Sequence, residues 1–216
     1  RIRQVLERVY RSGWGTGAYY AVELWWRKLY FPRADQIGGE RRAFKWDSWL
    51  VSAFALGWLG MLTIAAVKVG TSRAEALVFG ALLPLLLWKC LMGFIIYVHH
   101  TEHDVAWFDD GEAWAASRPY LSATLHVESP LLDALLHNIL QHPAHHLDMT
   151  IPFYRLRRAQ RQLDELAPGY VQKRALSWGY YWDVVRHCKV YDYKRRQWQA
   201  FPRAATDVAR EAGSSQ

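Results

Sequence analysis

The chain is poor in cysteine and lacks several short motifs that identify common enzyme classes. Its two cysteines, Cys90 and Cys188, give no disulfide framework and are compatible with a reducing compartment. It contains no H-E-x-x-H pair, no paired C-x-x-C and no E-x-x-H, which argues against a zinc protease and against a soluble carboxylate di-iron bundle. The absence of G-x-G-x-x-G and P-loop motifs argues against the common nucleotide-binding folds.

The first residues of the given sequence do not show the pattern of a secretion signal. It starts Arg-Ile-Arg, without Met and without a basic segment leading into an apolar one. A cleaved leader is therefore not indicated, and we expect the sequence to start inside a longer protein.

Basic residues are nearly absent from the middle of the chain. Residues 99–152 hold one Arg, Arg118, against 8 Asp+Glu, whereas residues 1–45 hold 10 Lys+Arg against 4 acidic residues and residues 153–216 hold 13 against 6. The positive-inside tendency places both basic flanks in the cytoplasm, where they would meet anionic lipid head groups. No nucleic-acid motif accompanies them, so we expect no nucleic-acid partner.

Two long apolar runs predict a membrane hairpin. Residues 48–67 are 20 consecutive residues without a charged side chain, and Lys89 is the only charged residue in 76–98. Pro84 is expected to kink the second run. The link over residues 68–75 is short and polar, which returns the chain to the side from which it started. The predicted fold is therefore an all-α integral membrane protein: a transmembrane helical hairpin with a cytoplasmic, histidine-rich helical cap.

Three segments follow from this topology, and all three belong to one domain. Residues 1–45 comprise an interfacial helix rich in Trp, Tyr and Arg and a polar loop that contains Gly38 and Gly39; residues 46–98 form the hairpin; residues 99–216 form the cap. The small, polar tail over residues 204–216 is expected to fray.

Histidines are concentrated in one part of the chain. No histidine precedes His99, and eight of the nine fall within the 48 residues 99–146, seven of them in two clusters at 99–103 and 137–146. His142, His145 and His146 form an H-x-x-H-H box, which places the first imidazole one helical turn from the other two. Imidazole suits iron, zinc, copper and nickel, so the box predicts a transition-metal site without choosing the metal. His126 and His187 stand apart, and we interpret His187 as structural.

A helix over residues 130–141 is predicted to lead into the box. Ser129 before Pro130 has the residue types of a helix N-terminus, and a leucine stripe follows. On this helix His137 lies one turn after Asp133, which would orient it, and Pro143 ends or restarts the helix.

These motifs resemble the C-terminal half of a membrane fatty acid desaturase, nearest the acyl-lipid omega-6 type. The matching stretches are Tyr-Val-His-His-Thr at 97–101, Trp-Phe-Asp-Asp at 107–110, His-Asn-Ile at 137–139 with the box, Ile-Pro-Phe-Tyr-Arg-Leu at 151–156 and Cys-Lys-Val-Tyr-Asp at 188–192. The resemblance covers residues 14–201. It implies a lipid-metabolic oxidoreductase that uses two non-haem iron ions, dioxygen and electrons from a donor such as ferredoxin to introduce a double bond into a membrane lipid acyl chain.

The resemblance also implies site residues. His142, His145 and His146 would be iron ligands, His100 a further ligand, and His137 a ligand or an orienting neighbour; no catalytic residue beyond the ligands is assigned. The family's first two histidine boxes have no counterpart here, so we expect the 216-residue chain alone to be inactive. A related membrane di-iron hydroxylase, ketolase or acetylenase, and a non-enzymatic metal-binding or transport protein, are the alternatives. A transporter would place its ligands inside the membrane spans.

Overall fold

The computed structural model describes residues 2–32 and 41–201 and divides into two compact units, Arg1–Ile95 and Ile96–Gln216. The predicted loop around Gly38 and Gly39 and the predicted fraying of residues 204–216 lie outside the described residues.

The first unit begins with short helices instead of the single interfacial helix that was predicted. Helix α1 (Ile2–Tyr10) and helix α2 (Thr16–Tyr19) are separated by a turn in which Gly13 has φ 87°, a left-handed conformation that favours glycine. Helix α2 continues directly into a π-helix, Tyr20–Tyr30. Its wider turn is visible at its end, where Phe31 N–H donates to the carbonyl of Trp26 five residues earlier.

The predicted hairpin is present as two long helical segments. Helix α3 is Arg41–Val69, and the returning segment consists of helix α4 (Arg73–Leu77), a π-turn (Val78–Leu82) and helix α5 (Leu83–His100). Ser72 begins the return by accepting a hydrogen bond from the N–H of Glu75. Near Pro84, where a kink was predicted, the segment departs from a regular α-helix in the π-turn, which ends two residues before this proline.

Both helical segments are long and apolar enough to cross a bilayer, and most of their apolar surface is exposed. Only 6% of the apolar window in Arg41–Val69 and 22% of that in Arg73–His100 is buried, whereas the core helix of a soluble protein would be mostly buried. Exposed apolar side chains such as Leu50, Phe54 and Ile64 cover α3. Surface of this kind is stable in contact with acyl chains.

The second unit is built from short elements. Its helices after α5 are α6 (Gly111–Ala116), α7 (Pro119–Ser122), α8 (Pro130–Leu135), α9 (His142–Leu147), α10 (Phe153–Leu166) and α11 (Trp178–His187). Its strands are β1 (His126–Glu128), β2 (Lys173–Ala175), β3 (Val190–Asp192) and β4 (Gln197–Gln199). Strands β1 and β2 pair in parallel, and β3 and β4 pair antiparallel. The predicted all-α class is therefore incomplete, because the second unit also contains two short two-stranded sheets.

The prediction of a helix over residues 130–141 is wrong for the second half of this range. Helix α8 ends at Leu135, and His137 and Asn138 follow with φ values of 55° and 64°. Two successive left-handed residues cannot continue a right-handed helix. The N–H of Asn138 instead donates to the carbonyl of Asp133 and closes the helix end. His137 is consequently not stacked one turn above Asp133.

Candidate metal centre

Three imidazoles from distant parts of the sequence converge on one point. His100 is the last residue of α5, and His142 and His146 lie one turn apart on α9. The Nε2 atoms of His100 and His142 are 2.9 Å apart, those of His142 and His146 are 3.1 Å apart, and those of His100 and His146 are 3.2 Å apart. We call these three residues the histidine triad.

A hydrogen bond of His100 determines which of its ring nitrogens presents a lone pair to the other two triad residues. Its Nδ1 lies 2.9 Å from the carbonyl oxygen of Ala123. Because a carbonyl only accepts, Nδ1 carries the proton, and in the neutral ring Nε2 is then unprotonated. Ala123 therefore orients His100 as a ligand in the way that carbonyls orient metal-binding histidines in other proteins.

The segment containing Ala123 also holds the end of α5 in place. Leu125 N–H donates to the carbonyl of His99, and the indole N–H of Trp107 donates to the carbonyl of His100. Carbonyls in the last turn of a helix have no donor within the helix, and these two bonds satisfy two of them. The backbone at His100 is thus fixed by contacts that the sequence did not reveal.

Helix α9, which carries the other two triad residues, is held by two buried polar side chains. The Oε1 of Gln160, a residue 1% exposed, accepts from the N–H of Ala144, one of the free donors at the start of α9. The side chain of Gln141 donates to Asp133, which also accepts from Arg157. Asp133 therefore positions the residue that precedes His142, whereas it was predicted to orient His137.

The surroundings keep the triad histidines on α9 neutral. Burial, followed by the positive charges that neighbouring histidines would carry, holds the pKa of His142 well below its ordinary range. Burial, then His100 and His145, lowers the pKa of His146 to about 4. Only the neutral ring offers a lone pair to a metal, so both rings are available as ligands at neutral pH.

The spacing of the triad fits a metal ion. Nitrogen ligands about 2.1 Å from a metal are separated by about 3.0 Å when they occupy adjacent corners of an octahedron and by about 3.4 Å in a tetrahedron. The observed separations of 2.9, 3.1 and 3.2 Å are close to these values. Nitrogen lone pairs this close repel one another unless a proton or a cation lies among them, so the donor set suits a cation such as iron.

The other predicted histidines lie in different positions. The His145 ring centroid is 5.7 Å from that of His142 and 5.8 Å from that of His146, beside the triad but outside it. The exposed His137 ring lies 5.0 Å from that of Phe153 and is not brought into the triad. His99, which is fully buried, places its ring 4.2 Å from that of His142.

The chain is similar in sequence to fatty acid desaturases. The model of the fatty acid desaturase family matches residues 2–178. An sn-1 oleoyl-lipid 12-desaturase of Synechocystis is 27% identical over 180 residues, which is 83% of this chain and 48% of that protein. A chloroplastic omega-6 fatty acid desaturase of Spinacia oleracea is 32% identical over 112 residues, which is 51% of this chain and 25% of that protein. A further sn-1 oleoyl-lipid 12-desaturase, from Arthrospira platensis, is 27% identical over 87% of this chain and 51% of its own length. The chain thus spans about half the length, or less, of these curated relatives.

Proposed function

Because this chain belongs to the fatty acid desaturase family, we propose that its histidine triad holds iron in a membrane enzyme that introduces a double bond into a lipid acyl chain. The observation that carries this proposal is the convergence of three Nε2 atoms within 3.2 Å of one another at the end of a helix that is apolar enough to enter a bilayer.

His100, His142 and His146 would bind one iron ion, each through Nε2. Ala123 keeps the proton of His100 on Nδ1, and Gln160 and Asp133 position α9 so that the other two nitrogens face the same point. His145 is partly exposed beside the triad. We propose it as a ligand to a second iron ion, and we leave His137 outside the ligand set.

Iron bound at this site would supply, with dioxygen and two external electrons, the oxidising power needed to remove two hydrogens from an unactivated acyl chain. The chain's own residues keep the ligands neutral and oriented. The buried surroundings of His142 also limit access of water to one side of the triad.

The substrate, electron donor and membrane placement are further parts of the proposal. Two relatives are named for oleoyl lipid, so an oleoyl lipid is the substrate to test first, with a ferredoxin-type protein as electron donor. We propose that α3 and α5 span the membrane and that the basic segment around Lys45 and the triad both face the cytoplasm, as the distribution of Lys and Arg indicates.

The location of the triad favours an enzyme over a metal transporter. A transporter places its ligands near the middle of its spans, whereas this triad begins at the last residue of α5. Within the described part of the two candidate spans, Lys89 is the charged residue farthest from their ends, and it faces aromatic rings: its Nζ lies 3.4 Å from the centre of the Trp25 ring. Among the described residues, neither group of three or more metal-ligating side chains includes a residue near Lys89.

Activity measurements on single-histidine variants test the ligand assignment. A longer protein that contains this chain together with the family's first two histidine boxes, supplied with reduced ferredoxin, dioxygen and oleoyl lipid, should form a new double bond. In that protein, His100→Ala, His142→Ala and His146→Ala should each lose iron and activity. His137→Ala is the matched control and should retain both. A fully active His142→Ala protein would overturn the proposal, and a hydroxylated product would assign the site to a hydroxylase instead.

Thiol labelling tests the topology. Cysteines introduced at Lys45 and at the exposed Arg158 should react with a membrane-impermeant maleimide from the same side of sealed vesicles. Labelling from opposite sides would contradict the hairpin.

A further inference from the structure

A second group of metal-ligating side chains lies within the second unit, outside the triad. His103 follows α5, and Asp183 and His187 are one turn apart on α11; one ligand atom from each lies within 4.8 Å of the others. The Nε2 of His103 is 3.1 Å from Oδ2 of Asp183, and the Nδ1 of His187 is 3.0 Å from Oδ1 of the same carboxylate. One carboxylate therefore bridges two imidazoles with both of its oxygens.

Sequence spacing accounts for only half of this arrangement. Asp183 and His187 are neighbours on any helix because they are four residues apart. His103 is 80 residues away from Asp183 in the sequence, so its ring reaches the carboxylate through the tertiary fold. His187 was interpreted from sequence as structural, and His103 had no assigned role.

The donor set is one that binds transition metals. Two imidazoles and one carboxylate suit zinc, iron, copper and nickel, whereas magnesium and calcium prefer oxygen ligands throughout. We propose that His103, Asp183 and His187 form a surface site for one divalent transition-metal ion, with Zn²⁺ as the ion that suits this mixed donor set, in addition to the iron held by the triad.

Electrostatics and exposure support the assignment. A hydrogen bond from His103, outweighing the effect of desolvation, lowers the pKa of Asp183, so its carboxylate is ionised at neutral pH. All three side chains are exposed, which lets an ion enter from solvent and lets water complete its coordination. Their exposure also allows the rings to rotate, which is needed because His187 Nδ1 lies 3.0 Å from the backbone carbonyl of Asp183 as well.

An ion bound here would tie two segments of the second unit together. His103 lies three residues after His100, and α11 is anchored by its buried residues Tyr181, Val184 and Val185. Binding would therefore hold the segment that follows His100 against a well-packed helix. The site does not depend on the proposed oxidation chemistry.

Zinc binding to the intact, iron-loaded protein tests this inference. After equilibrium dialysis against Zn²⁺ and metal analysis, we expect one Zn²⁺ per chain in addition to the iron. His103→Ala and His187→Ala should weaken Zn²⁺ binding by at least about tenfold and leave the iron content unchanged. Arg186→Ala, which changes an exposed neighbour on α11, is the control and should bind Zn²⁺ as the original protein does.

A conservative variant separates loss of the site from loss of folding. Asp183→Asn keeps the size of the side chain and can still accept a hydrogen bond, yet it removes the negative charge and should also weaken Zn²⁺ binding. Equal Zn²⁺ affinity in Asp183→Asn and the original protein, or no zinc bound by the original protein, would overturn the proposal. Loss of desaturation with zinc binding intact would count against the proposed function alone.

Discussion

Trp58 on α3 donates its indole N–H to the backbone carbonyl of Gly80, at 3.0 Å. Gly80 is four residues before Pro84, and proline has no N–H with which to close the helical hydrogen bond to that carbonyl. The neighbouring helix thus supplies a donor in place of the missing proline N–H. In a bilayer, where water is absent, such a replacement is needed for an irregular turn to be stable.

Replacing Trp58 should destabilise the hairpin. Trp58→Phe keeps an aromatic ring but leaves the Gly80 carbonyl without this donor, and we expect a loss of about 0.5–2 kcal/mol, the range for such bonds in membranes. Thermal unfolding in detergent measures it. Trp49→Phe, at an exposed position of the same helix, is the control and should unfold as the original does; equal melting of the two variants would refute this role.

Gly93 should tolerate no side chain. A Cβ at this position would lie 2.3 Å from the carbonyl oxygen of Thr16, whereas a Cβ at Gly57 would meet nothing within 4 Å. Helix α2 and helix α5 therefore touch backbone to backbone, as small residues allow in membrane proteins. We expect Gly93→Ala to lower the melting temperature in detergent and Gly57→Ala to leave it unchanged or raised. A stable Gly93→Ala protein would show that this close contact is absent.

Gln160 should influence iron binding without touching the metal. Gln160→Leu leaves the buried N–H of Ala144 without its acceptor, at a cost of about 1–3 kcal/mol, and should loosen α9 and reduce the iron content. Metal analysis and melting curves provide the measurement, with Arg158→Ala on the exposed face of α10 as the control. Iron content equal to that of the original protein in Gln160→Leu would contradict this positioning role.

Acidification should destabilise the fold in part through His126. Burial is the largest cause that lowers its pKa, and the nearby Asp164 partly opposes it. Above about pH 6.5 the ring is neutral in both the folded and unfolded chain. As the pH falls below this value, the unfolded chain binds a proton that the folded chain resists, so stability decreases.

The variant His126→Gln should therefore lose less stability than the original protein between pH 7.5 and pH 5.5. Melting temperatures of both proteins across this interval give the comparison. Identical pH dependence would mean that His126 does not titrate differently on unfolding.

Local sequence patterns predicted the helices correctly where one physical requirement, such as the thickness of a bilayer, sets the pattern. The two apolar runs predicted helices because a bilayer demands about 20 apolar residues, and the described helices Arg41–Val69 and Arg73–His100 contain both runs. The box predicted that His142 shares a helical face with His145 and His146. Helix α9 brings His146 to His142, whereas the ring of His145 lies beside the triad. The prediction of a helix over residues 130–141 was wrong in part because the spacing of leucines carries no information about the left-handed conformations of His137 and Asn138.

The sequence alone predicted the chemistry available: a histidine-rich segment, a box with helical spacing and two apolar runs long enough to cross a bilayer. It did not determine which distant side chains meet. The meeting of His100 with His142 and that of His103 with Asp183 join residues 42 and 80 positions apart in the chain. For the first of these, the end of α5 is held by the hydrogen bonds from His100 to Ala123 and from Leu125 to His99. Periodicity reports only neighbours within a helix or strand, so contacts of this range are decided by the tertiary structure alone.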